Sequence, residues 1–157
     1  MMALLATTIA AGCSKKPKEE PVLPTGSSDF REDSDITDTM SGPVRVPELK
    51  TIYFEYDRYN IKADQQPTLK ANVGHIDKRP EWKQIVLEGN CDERGTEEYN
   101  LALGDKRANA VADYYIKLGV PSSKVVTVSF GSSRPAVQGH DESAYKFNRR
   151  VDTLVNK

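Results

Sequence analysis

Two charged residues, Asp92 and Arg107, have the surroundings that point most directly to chemistry. Asp92 comes directly after a predicted strand. Arg107 lies on the apolar face of a predicted helix, between Leu103 and Val111. Burying a charge costs free energy unless the charge is paired and hydrogen-bonded. Arg107 is therefore expected either to pair with a carboxylate of the protein or to face a cleft that receives an anion.

Asp92 is the carboxylate best placed for either outcome, because one loop joins its strand to the helix that carries Arg107. One alternative is a structural ion pair between Asp92 and Arg107. The other is an open site for a zwitterion, in which Asp92 takes an ammonium group and Arg107 binds a carboxylate with its two-pronged guanidinium. An amino acid with a free amine and a free carboxylate on one carbon presents both groups.

The residue types favour a binding protein over an enzyme. A thiol hydrolase would need a lowered pKa at Cys91 and a histidine base, but the adjacent Asp92 raises that pKa, and His75 and His140 are scattered. We expect Cys91 to be a small buried residue at a strand end. The sequence contains no Cys/His metal spacing, Walker loop or Rossmann glycine fingerprint. We therefore predict no catalytic residue, no metal and no cofactor.

Strands and helices are predicted to alternate over the last two-thirds of the chain. The strands are expected over residues 49–57, 82–90, 124–130 and 150–155. The first helix begins at Pro67, the second runs from the cap Thr96 to a stop at Gly119, and a short third covers residues 141–149. This order predicts an α/β (α+β) two-layer sandwich, with the helices on one face of a mixed four-stranded sheet.

The N-terminal segment has a different character from the rest of the chain. MMALLATTIAAGC is apolar up to Ala11, a length that suits the core of a signal peptide and is too short for a transmembrane helix. The small residues before Cys13 resemble a bacterial lipobox, which implies a signal peptide over residues 1–12 and lipidation of Cys13. The alternative is a buried hydrophobic N-terminal helix that ends at Cys13.

Residues 13–46 are predicted to form a linker, and residues 47–157 the folded domain. The linker is rich in proline and acidic residues and poor in apolar ones, so we expect it to be disordered. About 30 residues of flexible coil would span roughly 30 Å. The whole chain of 157 residues has 22 basic and 23 acidic side chains, a formal net charge of −1. This balance lacks the basic excess that nucleic-acid binding requires, so no nucleic-acid partner is expected.

The segment GNCDERGTEEYNLALGDKRANAVADYYIKLGV, with FEYDRYNI before it and NRRVD after it, resembles the OmpA-like peptidoglycan-binding domain family. The resemblance covers roughly residues 49–155. It implies that Asp92 and Arg107 bind diaminopimelate in the stem peptide of peptidoglycan. It extends the expected ligand site to Tyr56, Asp57, Thr96, Asn100 and Leu103. Arg149 and Arg150 match the NRR of the family and are expected to be structural, tying the last strand to the domain.

The resemblance also implies a place in the cell and a set of partners. It predicts an outer-membrane lipoprotein that faces the periplasm and tethers the outer membrane to the cell wall, as part of the Tol system. The expected partners are peptidoglycan, the outer membrane through the lipid anchor, and periplasmic Tol proteins such as TolB. The alternative is a general wall anchor or a protein-interaction module outside the Tol system.

Overall fold

A computed structural model describes residues 42–157, which form five strands and three α-helices. In chain order these are β1 (Val44–Arg45), β2 (Ile52–Tyr53), α1 (Gln66–Asp77), β3 (Gln84–Asn90), α2 (Glu97–Lys117), β4 (Val125–Gly131), α3 (Glu142–Asn148) and β5 (Arg150–Asn156). The predicted signal peptide, Cys13 and the predicted linker up to residue 41 lie outside the described residues. Among the helices of residues 42–157, none combines the length and apolar character needed to cross a membrane.

The strands form one mixed sheet in the order β1-β5-β3-β4, and β2 also pairs with β5. β3 is parallel to β4 and antiparallel to β5. β1 and β2 are both antiparallel to β5, where Val44 pairs with Val155 and Ile52 with Val151. The predicted fold class is confirmed, but the predicted count of four strands is wrong. The strand that was not predicted is β1 (Val44–Arg45), which pairs with β5 and lies just upstream of the predicted domain boundary at residue 47.

The hydrophobic core joins α1 and α2 to the sheet. Apolar residues at helical spacing, such as Leu69 and Val73 on α1, supply one side. The alternation along β3 directs Ile85 and Leu87 into the same core, because successive side chains of a strand point to opposite faces. Tyr115 of α2 is fully buried within it. These elements were predicted from periodicity, and the structure confirms them.

The first predicted strand is shorter than expected. It was predicted over residues 49–57, but only Ile52–Tyr53 is a strand. The Phe54 N–H still donates to the Arg149 carbonyl oxygen at 2.9 Å, and the chain then turns away from the sheet. Asp57 has a φ of 53°, the left-handed region that few residues other than glycine adopt. The turn carries Tyr56 and Asp57 out of the sheet and towards α2.

Two glycines bring α2 unusually close to the sheet. A Cβ added to Gly89 of β3 would lie 2.0 Å from the carbonyl oxygen of Gly104 in α2. A Cβ added to Gly104 would lie 2.3 Å from Ser129 Oγ of β4. Asp92 follows Gly89 along the chain, and Arg107 follows Gly104 by about one helical turn. The close packing therefore fixes the distance between the two segments that carry Asp92 and Arg107.

Candidate functional site

A cavity of about 160 Å³ lies between the end of β3, the N-terminal half of α2 and the turn after β2. All of the residues predicted for the ligand site except Thr96 line it, namely Tyr56, Asp57, Asp92, Asn100, Leu103 and Arg107. The structure adds residues that the sequence did not single out for this site: Cys91, Arg94, Gly95, Tyr99 and Arg149. Segments that are distant in the sequence thus converge on one small, polar cavity.

Arg107 is 0% exposed, yet its hydrogen bonds all go to uncharged acceptors. Its Nε donates to the Arg58 carbonyl oxygen at 2.9 Å, and Nη2 donates to the Glu55 carbonyl oxygen at 3.1 Å. Its Nη1 donates to the Asn90 carbonyl oxygen at 2.9 Å and to Cys91 Sγ at 3.2 Å. A guanidinium has five N–H donors, so these contacts leave one unused.

Arg107 therefore keeps its positive charge without a direct carboxylate partner. None of the carboxylates within residues 42–157 forms an ion pair with it. Burial lowers the pKa of Arg107, but an arginine pKa is so high that the side chain stays protonated. The guanidinium also lies 5.4 Å from the centre of the Phe54 ring. The site thus contains a buried cation that is hydrogen-bonded but not neutralised by contact.

Asp92, which is 4% exposed, pairs with two other arginines. Its Oδ1 accepts hydrogen bonds from the backbone N–H and the Nε of Arg94, at 3.1 and 3.3 Å. Its Oδ2 accepts from Arg94 Nη2 at 2.6 Å and from Arg149 Nη1 at 3.3 Å. Burial alone would raise the pKa of Asp92, but the hydrogen bonds from Arg94 and Arg149 outweigh it and lower the pKa. The alternative of a structural Asp92–Arg107 ion pair is therefore wrong.

Arg94 is the residue of this site that sequence reasoning missed most clearly. Its guanidinium carbon lies 3.9 Å from the centre of the Tyr56 ring and 4.4 Å from that of Tyr145. Its Nη2 also lies 3.5 Å from Glu142 Oε2. The signal that could have found it is its position two residues after Asp92 in a loop, where a side chain can fold back on the preceding carboxylate.

Arg149 combines the predicted structural role with a place in the cavity wall. Its Nε donates to the Phe54 carbonyl oxygen at 3.1 Å and its Nη2 to Glu142 Oε1 at 2.5 Å. These bonds tie the start of β5 to the turn after β2 and to α3, as expected. Its Nη1 also reaches Asp92, which the sequence did not indicate. The contacts of Arg150 within residues 42–157 are structural: its Nε donates a hydrogen bond to Asp152 Oδ2 at 2.8 Å.

The remaining predicted residues shape the cavity in different ways. Asn100 is buried, and its Nδ2 donates to the carbonyl oxygens of Asp92 and Arg94, both at 3.3 Å. Asp57 accepts a hydrogen bond from the Tyr99 hydroxyl, and both residues line the cavity. Thr96 does not line the cavity. Its hydroxyl instead accepts from the Tyr99 N–H at 3.2 Å and caps α2.

Cys91 is a small buried residue at the end of β3, as predicted. Burial raises the pKa of its thiol, which disfavours the thiolate that a nucleophile requires. The thiol contacts Arg107 and the Asn100 carbonyl oxygen. His140, one of the two candidate bases, is bonded to Glu93 at 2.7 Å instead. The contact with Arg107 acts in the opposite direction and lowers the thiol pKa, but burial outweighs it, so Cys91 has a packing role.

Comparison with known proteins identifies the family of the chain and its fold. The OmpA family model matches residues 53–149, a range that contains every residue lining the cavity. The chain belongs to the OmpA family. The structure is also similar to the C-terminal domain of Helicobacter pylori MotB, with a TM-score of 0.65 over 69% of this chain and 85% of that one. At 22% identity this second likeness concerns the fold alone.

Within the family, the chain is similar to peptidoglycan-associated lipoproteins. The protein of that name from Pasteurella multocida is 50% identical over 116 residues, covering 71% of this chain and 77% of the relative. The one from Pseudomonas aeruginosa is 35% identical over 158 residues, covering 94% and 90%. The crystal structure of the Burkholderia pseudomallei protein has a TM-score of 0.65 at 39% identity, covering 68% of this chain and 90% of that one.

Proposed function

We propose that the protein is an outer-membrane lipoprotein that binds peptidoglycan noncovalently and tethers the outer membrane to the cell wall. Membership of the OmpA family and the similarity to peptidoglycan-associated lipoproteins support this proposal. The lipobox-like sequence before Cys13 supports the lipid anchor. The protein acts as a binding module in this proposal, and within residues 42–157 the raised pKa of the buried Cys91 disfavours a thiolate nucleophile.

The observation that carries the proposal is the buried cation of Arg107 at the wall of a cavity that Asp92 also lines. A ligand carboxylate would be the negatively charged partner that Arg107 does not have within residues 42–157, and it could accept a hydrogen bond from the unused N–H of Arg107. Asp92 is a low-pKa carboxylate that would bind an ammonium group. The free end of diaminopimelate in the stem peptide carries both groups on one carbon, so the proposed ligand matches the cavity in charge.

The other cavity residues would complete the contact with the ligand. Tyr56 is 54% exposed and forms an aromatic wall, and Leu103 offers an apolar surface to the methylene groups of diaminopimelate. Asn100 holds the loop between Asp92 and α2 in place through its hydrogen bonds. Thr96, in this proposal, contributes by fixing the first turn of α2 and not by direct contact.

We also propose that the protein works within the Tol–Pal system, which serves envelope integrity and cell division, with TolB among its periplasmic partners. This part rests on the similarity to peptidoglycan-associated lipoproteins. Affinity capture of the full chain from an envelope extract tests it. Recovery of TolB with the protein is expected, and capture of peptidoglycan fragments without any Tol protein would favour a general wall anchor.

Pelleting with isolated peptidoglycan sacculi tests the ligand site. The full chain is compared with Asp92→Asn, which removes the charge but keeps the size, and with Asp113→Asn, which removes an exposed charge elsewhere on α2. We expect Asp92→Asn to bind sacculi roughly tenfold more weakly, because one charge-assisted contact is lost. Asp113→Asn should bind as the wild type does, and free meso-diaminopimelate should compete. Equal pelleting of folded Asp92→Asn and wild type would contradict the assigned site.

A further inference from the structure

Arg94 occupies the position at Asp92 where the proposed function requires the ammonium group of the ligand. We propose that Arg94 is a tethered internal cation that closes the unliganded site, and that the ammonium group of the ligand displaces its side chain. This inference rests on the proposed binding of a zwitterion. It assigns to Arg94 a role in specificity: the site opens to a ligand that brings a cation of its own.

The hydrogen bonds of Asp92 leave little room for an additional donor. A carboxylate offers about four lone-pair sites, and four donors already approach this one. One donor is a backbone N–H, and another belongs to Arg149, which is anchored at both Phe54 and Glu142. The Arg94 side chain supplies the other two and is 34% exposed. It is therefore the donor group at Asp92 that can move away at least cost.

The surroundings of the Arg94 guanidinium form a site for a cation in general. Two aromatic faces, from Tyr56 and Tyr145, lie within 4.4 Å of its central carbon. Carboxylates of Asp92 and Glu142 lie at 2.6 and 3.5 Å from its Nη2. Aromatic faces and carboxylates attract a primary ammonium group as they attract a guanidinium. When Arg94 leaves, the same cage can hold the ammonium group of an amino acid.

Displacing Arg94 would leave few groups without partners. Glu142 keeps its bond to Arg149 at 2.5 Å, and Asp92 keeps the backbone N–H and Arg149 while it gains the ammonium. The Arg94 side chain is already part exposed, so its charge can be solvated by water. The exchange replaces one cation by another next to Asp92, so the carboxylate of Asp92 stays neutralised. A dicarboxylate without an amine cannot make this exchange, because it brings no cation to replace the Arg94 guanidinium at Asp92.

Titration calorimetry with two probes tests the proposal on the full chain. The probes are meso-diaminopimelate and pimelate, which has the same carbon chain and carboxylates but no amines. Arg94→Gln removes the competing charge. Arg134→Gln is the matched control, because Arg134 also stacks on an aromatic ring, that of Phe130, and lies 3.5 Å from Glu88. Circular dichroism checks that each variant is folded, and Arg94→Lys serves as a second variant.

The proposal predicts that Arg94→Gln binds meso-diaminopimelate roughly three- to tenfold more tightly than wild type, with no gain for pimelate. Arg94→Lys should lie between wild type and Arg94→Gln, because a lysine cannot engage both oxygens of Asp92 as a fork. Arg134→Gln should match the wild type. Equal or weaker binding of meso-diaminopimelate by Arg94→Gln would overturn the proposal while leaving the proposed function intact. Absence of binding by the wild type itself would instead contradict the proposed function.

Discussion

Arg107 shows how a single buried residue can serve both the fold and the site. Its guanidinium bonds to backbone carbonyl groups from the turn after β2 and from the end of β3, so it holds these segments against α2. Carbonyl groups accept three of its five N–H donors but do not cancel its charge. A buried guanidinium paired with a carboxylate would have been inert, whereas this one can still attract an anion. The unneutralised charge is what makes the cavity a candidate for ligand carboxylates.

The lowered pKa of Asp92 sets the pH range in which binding is expected. Its ordinary value is near 3.8, and the hydrogen bonds from Arg94 and Arg149 place the folded value below this. The carboxylate is therefore charged throughout the neutral range. Its contribution to binding and stability is complete above the ordinary value and is lost as the pH falls through the lowered one.

Sacculus pelleting as a function of pH measures this effect. We expect wild-type binding to be level from about pH 7 to about pH 5, and to fall at a pH below about 4. Asp92→Asn lacks the titrating group, so its weaker binding should not show the same fall. A wild-type profile that declines at about pH 6 would contradict the assignment of Asp92 as the ligand carboxylate.

The sequence predicted the site residues whose role follows from the cost of burying a charge. It did not predict those whose side-chain direction depends on the conformation of a loop. The position of Arg107 on an apolar helix face indicated a buried cation, and Asp92 at the strand end indicated a nearby carboxylate. Periodicity says nothing about the direction of a side chain in a loop, so only the spacing of two residues between Asp92 and Arg94 hinted that Arg94 folds back onto Asp92. The family resemblance was needed to include four further residues in the predicted ligand site: Tyr56, Asp57, Asn100 and Leu103. Their contact with a ligand stays a prediction.

At the scale of elements, the contact between α2 and β3 determines the geometry of the cavity. Gly89 and Gly104 meet with backbone atoms in direct contact, so neither position has room for a side chain. Glycine in the middle of a helix normally costs stability relative to alanine. The close approach gives a physical reason for Gly104 in α2. Any residue that separated the two elements would also separate Asp92 from Arg107.

Substitution of Gly89 by alanine tests the importance of this contact. The added Cβ would overlap the Gly104 carbonyl oxygen, which is backbone and cannot rotate away. We expect Gly89→Ala to lower the free energy of unfolding by at least about 2 kcal/mol, measured by denaturant unfolding. The control is Gly74→Ala in α1, where nothing lies within 4 Å of an added Cβ. It should raise stability by about 0.5–1 kcal/mol. Similar stability of the two variants would refute the close-packing account.

The elements themselves were predicted well where local signals were strong. α2 begins after the Thr96 cap and ends before Gly119, whose φ of 109° requires the freedom of glycine. β1 could not be predicted, because Val44–Arg45 has no periodicity of its own and forms only by pairing with β5. β2 is short because the chain turns at Asp57, a tertiary effect that the alternating pattern of the segment conceals.

For the molecule as a whole, the proposed function requires a lipid anchor joined to a wall-binding domain. The two cysteines provide a matched pair of variants to test it. Cys13→Ala should shift the protein from the membrane pellet to the soluble fraction of fractionated cells, because the acyl chains that hold it would be absent. Cys91→Ala, which changes a buried thiol within the domain, should leave the protein in the membrane fraction. Retention of Cys13→Ala in the membrane pellet would contradict the anchor.

A crystal structure of the protein soaked with meso-diaminopimelate would show directly whether Asp92 and Arg107 bind the two charged groups of the ligand. We expect an ammonium nitrogen within hydrogen-bond distance of an Asp92 carboxylate oxygen, and a carboxylate oxygen of the same ligand within hydrogen-bond distance of Arg107, at about 2.7–3.2 Å each. Ligand density at another surface, with the cavity between Asp92 and Arg107 still unoccupied, would contradict this expectation.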